Sequence, residues 1–448
     1  MSNDTIKRTT TCLFFIGILT IAIVTRANDS IPFSISPSIG NDTEPATLDK
    51  VPARSLWEYI VSGPFWILTS PVTASLYGIS QLGGYLNQSG IGMKIYNVLV
   101  SPDGTRSIFP YVSTQTGAGL ELQKNGLAFP GSKITLLGSG WTLGRGSVLL
   151  SFDKVEPWIN FPYLGATARY YSIPWERFFG IGNNSIRSDS SFYSFRDIDA
   201  GITVGKNITP DFSVYITPAI VNYRSSDAKG NHQPQLADIF PLGEIPGAGK
   251  TLVAGGVSSG AEYGHYDNTV RPSCGFFTKA KTGMLDQLGA FRLQNESRMG
   301  YWFFETEAGV IAPMPWGPHR MLLLRGDLRT AREYRDRQIP YYLLSEVGSE
   351  STVRGFVDRR FIDNDRIVLS GEYHYPAWTT QPITIDAILF YDAGQVANDI
   401  FTDFSTRRFH GSGGIGLRMH SKKNVVGQFL VGFSREGFRL FLNKGIYP

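Results

Sequence analysis

From about Tyr111 to the C-terminus the chain repeats short segments in which apolar and polar residues alternate between turn clusters. In "RIVLSGEYHY", Ile367, Leu369, Gly371 and Tyr373 fall on one face and Val368, Ser370, Glu372 and His374 on the other. In "LLLRGDLR", Leu322, Leu324 and Leu328 oppose Leu323, Arg325, Asp327 and Arg329. In "ITIDAILFYD", Ile383, Ile385, Ala387, Leu389 and Tyr391 oppose Thr384, Asp386, Ile388, Phe390 and Asp392. Period two is the strand period, so the bulk of the chain is all-β. No stretch beyond the N-terminus approaches the length of a membrane helix, and "YIVSGPFWILTSPV" is broken by Gly63, Pro64 and Ser70. A membrane location would therefore require a closed β-barrel, the other fold that satisfies every backbone polar group in lipid.

Alternation alone fits both a water-soluble sandwich and an outer-membrane barrel. Length and aromatic placement favour the barrel. Roughly 340 residues at about 20 per strand and connection allow about 16 antiparallel strands, and Trp, Tyr and Phe cluster at segment ends as interface girdles require. The 49 glycines and 18% charged residues agree with many turns and strands. A net charge of +4 without a basic run gives no support to a nucleic-acid partner.

Residues 1–27 read as a signal peptide, with Lys7 and Arg8 preceding the apolar run Cys12–Val24 and small residues before a cleavage site after Ala27. Its removal leaves Cys274 alone, so the mature chain has no internal disulfide. Residues 28–107 read as a periplasmic lead with an amphipathic helix. Ser70 is its N-cap, Pro71 its first helical residue, and Val72, Leu76, Ile79, Leu82 and Leu86 lie on one face. The expected organisation is completed by a transmembrane β-barrel over residues 108–448.

Two short motifs stand out in the second half: Val353-Arg354-Gly355-Phe356, and Phe390-Tyr391-Asp392-Ala393-Gly394, whose Asp392 shares the charged face with Asp386. An arginine folded into a barrel interior loses its water and needs a carboxylate or several acceptors. The segment "VGSESTVRGFVDRRFIDNDRIVLSGEYHYP" resembles the hallmark of the bacterial surface antigen family, the BamA/TamA superfamily of outer-membrane barrels. In that family a V-R-G-F/Y loop folds back into the barrel and its arginine meets the acidic residue of an F-x-D-x-G strand. The resemblance thus implies a lumenal loop motif of Val353, Arg354, Gly355 and Phe356, anchored by Phe390, Asp392 and Gly394. "ARYYSIPWERFFGIGNNS" is similar to the family's early-barrel signature, with a turn at Gly180–Asn183, and "AEYGHYDNTVRPSCGFF" to a recurring hairpin through Asp267, Pro272 and Gly275. Two departures accompany it: residues 28–107 lack the strand pattern of a POTRA domain, and the chain ends in Pro448 instead of an aromatic.

The resemblance implies a protein that assists insertion or translocation of other proteins across the cell outer membrane, with outer-membrane lipid and unfolded client proteins as partners. A passive or gated pore with a lumenal constriction loop, and a surface antigen without transport, remain alternatives. A serine hydrolase is the remaining reading, because "GVSSG" fits G-x-S-x-G with Ser258 as nucleophile. Glycine-rich, strand-like sequence on both sides of Ser258 speaks for a structural strand and against the strand, turn and helix that such a nucleophile needs. No catalytic residue, metal site or small-molecule cofactor is expected: H-E-x-x-H is absent and the six histidines lack ligand spacing.

Overall fold

The computed structural model describes residues 99–443, apart from residues 128, 130, 142–143, 157–160, 231–233, 269, 290–297, 316–319, 381–382 and 422–424. The signal segment, the expected amphipathic helix and the terminal Pro448 lie outside the described residues.

An antiparallel meander makes the molecule. Its first half comprises β1 (Arg106–Ser113), β2 (Gly117–Asn125), β3 (Lys133–Gly140), β4 (Gly146–Val155), β5 (Tyr163–Phe178), β6 (Ser191–Thr209), β7 (Phe212–Asp227) and β8 (Thr251–Tyr266). It continues through β9 (Gly275–Gln287), β10 (Arg298–Pro313) and β11 (Met321–Arg332). Three short strands follow inside one long connection: β12 (Arg337–Gln338), β13 (Ser345–Val347) and β14 (Phe361–Asp363). The wall resumes with β15 (Asp365–Thr380), β16 (Ile383–Ala397), β17 (His410–Ser421), β18 (Val425–Ser434) and β19 (Gly437–Asn443). Each wall strand pairs with its predecessor, and β15 pairs directly with β11, giving 16 antiparallel strands in a nearly closed barrel.

The sidedness follows from the alternation. Leu150, Ile202, Ile220, Leu324, Leu369 and Tyr391 point outward and are exposed, forming the apolar band a bilayer requires. The opposite parity faces the lumen and is ionic. Arg329 meets Glu305 at 3.2 Å, Arg366 meets Asp327 at 2.6 Å and Arg169 meets Asp197 at 2.6 Å. Such pairs balance charge along the lumenal face of the wall.

The long connections 179–190, 228–250, 333–364 and 398–409 all emerge at one end. Two of them fill the lumen there with an apolar core: Leu236, Ile245 and Ala248 from one, Ile339, Tyr341 and Leu344 from the other. Tyr341 packs edge-on to Phe178 and Tyr193 of the wall, at 5.3 and 5.0 Å between ring centroids, and its hydroxyl shares a 2.7 Å hydrogen bond with Ser225. A sixteen-strand barrel is too wide for wall side chains to fill, so inserted loops close its end.

Closure between the first and last strands is slight. Among the described residues no ladder joins β1 to β19; the Thr114 amide donates to the Leu442 carbonyl at 3.1 Å just beyond β1, and the Leu442 amide reaches Thr114 Oγ1 at 3.5 Å.

Outward and inward positions should respond differently to charge. Leu150→Arg is expected to destabilise the barrel in phospholipid vesicles by about 2–4 kcal/mol, and Ser151→Arg, one residue on and facing the lumen, by much less. Denaturant unfolding of both variants in vesicles checks this; equal losses would contradict the sidedness.

Candidate functional site

The 333–364 connection folds into the barrel and its tip is held by the inner faces of β15, β16, β17 and β18. Arg354 is 3% exposed and Asp392 is fully buried. The guanidinium grips Asp392 in a two-pronged pair, Nε to Oδ2 at 2.8 Å and Nη2 to Oδ1 at 2.6 Å, and the Arg354 amide donates to the same Oδ2 at 3.1 Å. Its Nη1 donates to Glu372 at 2.5 Å and its Nη2 to Ser370 Oγ at 3.1 Å. The Phe390 ring lies 3.7 Å beneath the guanidinium carbon, a cation–π contact. Burial alone would lower the guanidinium's pKa; Glu372 and Asp392 outweigh that and hold it above its usual value.

The network extends along the wall. Glu372 hydrogen-bonds His374 at 2.8 Å and lies 3.9 Å from Arg418, which donates to Gln428 at 2.6 Å. Lower in the lumen, Arg271 reaches in from the short 267–274 turn and forks onto Asp386 at 2.9 and 2.5 Å, with His420 at 3.1 Å from the same carboxylate. The turn itself is held by Asp267, which accepts from the Ser273 and Cys274 amides at 2.9 and 3.1 Å.

The neighbours of Arg354 fit it closely. Val353 and Phe356 sit in an apolar cluster with Val347, Phe361, Val368 and Val396. Gly355 has no room for a side chain: a Cβ there would lie 2.6 Å from Ser412 Cβ and 2.8 Å from the Phe433 carbonyl. Its own carbonyl accepts from Ser434 Oγ at 2.8 Å. Gly394 leaves space for Val353, whose Cγ2 would be 3.0 Å from an added Cβ. The four loop residues and the three strand residues singled out by their motifs are therefore brought into one site.

Other anchors carry no motif of their own. Arg360 donates to Glu436 at 2.8 and 2.9 Å and to Ser185 Oγ at 2.9 Å, tying the loop to the β18–β19 hairpin and to the 179–190 connection. Asn183, from the expected turn, donates to the Arg408 carbonyl at 2.8 Å and accepts from the Val396 amide at 3.0 Å. Ser370 and Glu372 were visible as lumenal by parity; Arg360, Asn183 and Arg271 act through partners far away in sequence. Ser258 lies in unbroken ladders opposite Thr217 and Gly283, so no nucleophile elbow is formed there.

A transmembrane β-barrel with a long loop pinned inside its lumen by one buried arginine defines the class: an outer-membrane barrel of the loop-inserting kind. The Omp85 superfamily domain matches residues 136–422, and the chain belongs to that family. Among solved structures it is similar to BamA from Haemophilus ducreyi lacking POTRA domains 1–3, with a TM-score of 0.53 and 17% identity over 75% of this chain and 69% of that one. It is also similar to CdiB from Escherichia coli, with a TM-score of 0.50 and 12% identity over 74% of this chain and 61% of that one, less than two thirds of its length. No curated protein sequence matches the chain.

Three acidic groups on the loop make its docking sensitive to pH. Burial, opposed by the Asn364 amide and helped by Asp365 and Asp403, pushes Asp363 up to about 6. Burial, with Asp358 nearby, pushes Glu350 up to about 7 against the pull of Arg354. Burial and Glu346 push Asp358 up to about 6, opposed by Arg145, Arg439 and Arg359. A raised carboxyl pKa means the docked loop binds protons more tightly than a loop released into water, so docking strengthens as pH falls through these values and weakens above them. Limited proteolysis of the 345–363 segment should show more protection at about pH 5.5 than at about pH 8, and the Glu350→Gln/Asp358→Asn/Asp363→Asn variant should flatten the profile. Identical cleavage across that range in the wild type would contradict it. Gly355→Val should undock the tip, read as faster cleavage of the same segment, because the new side chain overlaps Ser412 and the Phe433 carbonyl. Wild-type cleavage rates in that variant would rule out the close approach.

Proposed function

We propose that the protein assists the insertion or translocation of other proteins across the outer membrane, acting through the β1–β19 seam. The observation that carries the reading is the seam: among the described residues, the Thr114–Leu442 main-chain bond stands where every other strand boundary has a ladder. An incompletely paired strand edge is a template for another strand, so a client hairpin can extend β1 or β19 by main-chain hydrogen bonds. Members of the family insert or secrete proteins, which supports the same reading. It requires export by residues 1–27, the long-loop end outside the cell and the short-turn end in the periplasm.

A passive pore is the second reading, since the lumen is ionic over much of its wall. The apolar core built by the 228–250 and 333–364 connections speaks against it, because hydrated ions do not cross a packed aromatic layer.

The test uses protein reconstituted in liposomes and an unfolded outer-membrane client, whose folding is followed by protease protection. The expected result is acceleration over empty liposomes, lost when a Thr114→Cys/Leu442→Cys pair is oxidised and restored on reduction. Arg354→Ala should also slow it. Acceleration that persists in the oxidised pair would remove the seam from the mechanism, and no acceleration in the wild type would remove the function.

A further inference from the structure

The 398–409 connection between β16 and β17 does not enter the lumen. On β15 and β16 the outward positions include Asp365, Leu369, Tyr391 and Gln395, opposite in parity to the lumenal Ser370 and Asp392. Leu369 and Tyr391 are 50% and 61% exposed, but Asp365 and Gln395, higher on the same outer face, are fully buried. Over Asp365 the cover is the connection itself. The Ile400 amide donates to Asp365 at 2.9 Å, Arg332 forks onto the same carboxylate, and Arg332 also pairs with Asp399 at 3.3 Å. The short helix Ile400–Asp403 thus lies as a flap against the outside of the wall.

The surface this flap turns away from the barrel combines two chemistries. Phe401 is 73% exposed and Phe404 51%. The one-turn helix Thr406–Arg408 follows, presenting Arg407 and Arg408 to solvent. Farther along the same outer face runs an outward row across four strands, Tyr391–Gly413–Phe433–Phe438, whose aromatic members are all exposed. Leu369, in the lipid-facing band, is four residues from Asp365, about 13 Å along the strand at about 3.3 Å per residue. The flap therefore stands where hydrocarbon gives way to headgroups, the level at which aromatic rings and arginines are stable together.

We propose that the 398–409 flap binds the phosphate-bearing headgroups of outer-leaflet lipids, with Phe401 and Phe404 entering the boundary between headgroups and acyl chains and Arg407 and Arg408 holding the phosphate. Continuity with the lipid-facing band favours a lipid over a soluble ligand, and two guanidinia select an anionic headgroup. Lipid composition at one side of the barrel then bears on the same strands that lead to the seam.

Amide hydrogen exchange in nanodiscs tests this on the whole barrel. Exchange over residues 400–409 should slow roughly tenfold when phosphatidylglycerol is added to phosphatidylcholine discs, while residues 234–250 stay unchanged. Arg407→Ser/Arg408→Ser should abolish that dependence, and Phe401→Ser/Phe404→Ser should raise exchange in both discs. The wild-type comparison needs no variant to fold: equal exchange in the two discs would overturn the proposal. Equal protection by inorganic phosphate in phosphatidylcholine discs would overturn the lipid in favour of a soluble anion.

Discussion

A guanidinium taken out of water inside a barrel is tolerated only when its charge and its donors are met, and much of this fold is arranged around meeting them for Arg354. Asp392 takes two prongs and the backbone amide, Glu372 takes a fourth donor, Ser370 accepts a fifth, and Phe390 supplies a ring face. These partners come from neighbouring positions on β15 and β16, so the ladder fixes where they stand relative to one another. Removing one partner of such a pair leaves an uncompensated buried charge, at a cost of about 3–5 kcal/mol.

The docked tip also links parts of the barrel that no ladder connects. Gly355 rests on β17 and β18, Ser434 bonds its carbonyl, and Arg360 reaches Glu436 in the hairpin that leads into β19. Asn183 ties the 179–190 connection to β16 and to the flap. β19, which among the described residues has no ladder to β1, is therefore the strand whose approach is braced by the inserted loop. The lumen and the seam rest on different bonds: side-chain ion pairs inside and, among the described residues, the Thr114–Leu442 main-chain bond at the edge.

The fold was largely legible because period two is imposed by the backbone itself. The parity that separates Leu369 and Tyr391 from Ser370, Glu372 and Asp392 is the same in the sequence and in the wall, and the strand number follows from length. The two motifs gave Arg354 and Asp392 through family resemblance. What stayed illegible was non-periodic. Tyr341 and Leu236 meet inside the lumen although they belong to separate loops, and nothing in either stretch encodes the other. Arg271 was not singled out, because nothing in the 267–274 turn encodes that its side chain reaches Asp386. The outer flap was missed for a similar reason: Asp365 breaks the apolar outward pattern, and its partners Arg332 and Ile400 are distant in sequence.

The pinning of the loop by the Arg354–Asp392 pair is most directly tested by a double-mutant cycle on loop opening, read as hydrogen exchange over residues 345–363 in the wild type, Arg354→Ala, Asp392→Ala and the double variant. If the two residues act as one unit, each single change opens the loop strongly and the double change adds little, leaving a coupling energy of at least about 2 kcal/mol. Additive effects, or a loop as protected in the variants as in the wild type, would contradict it.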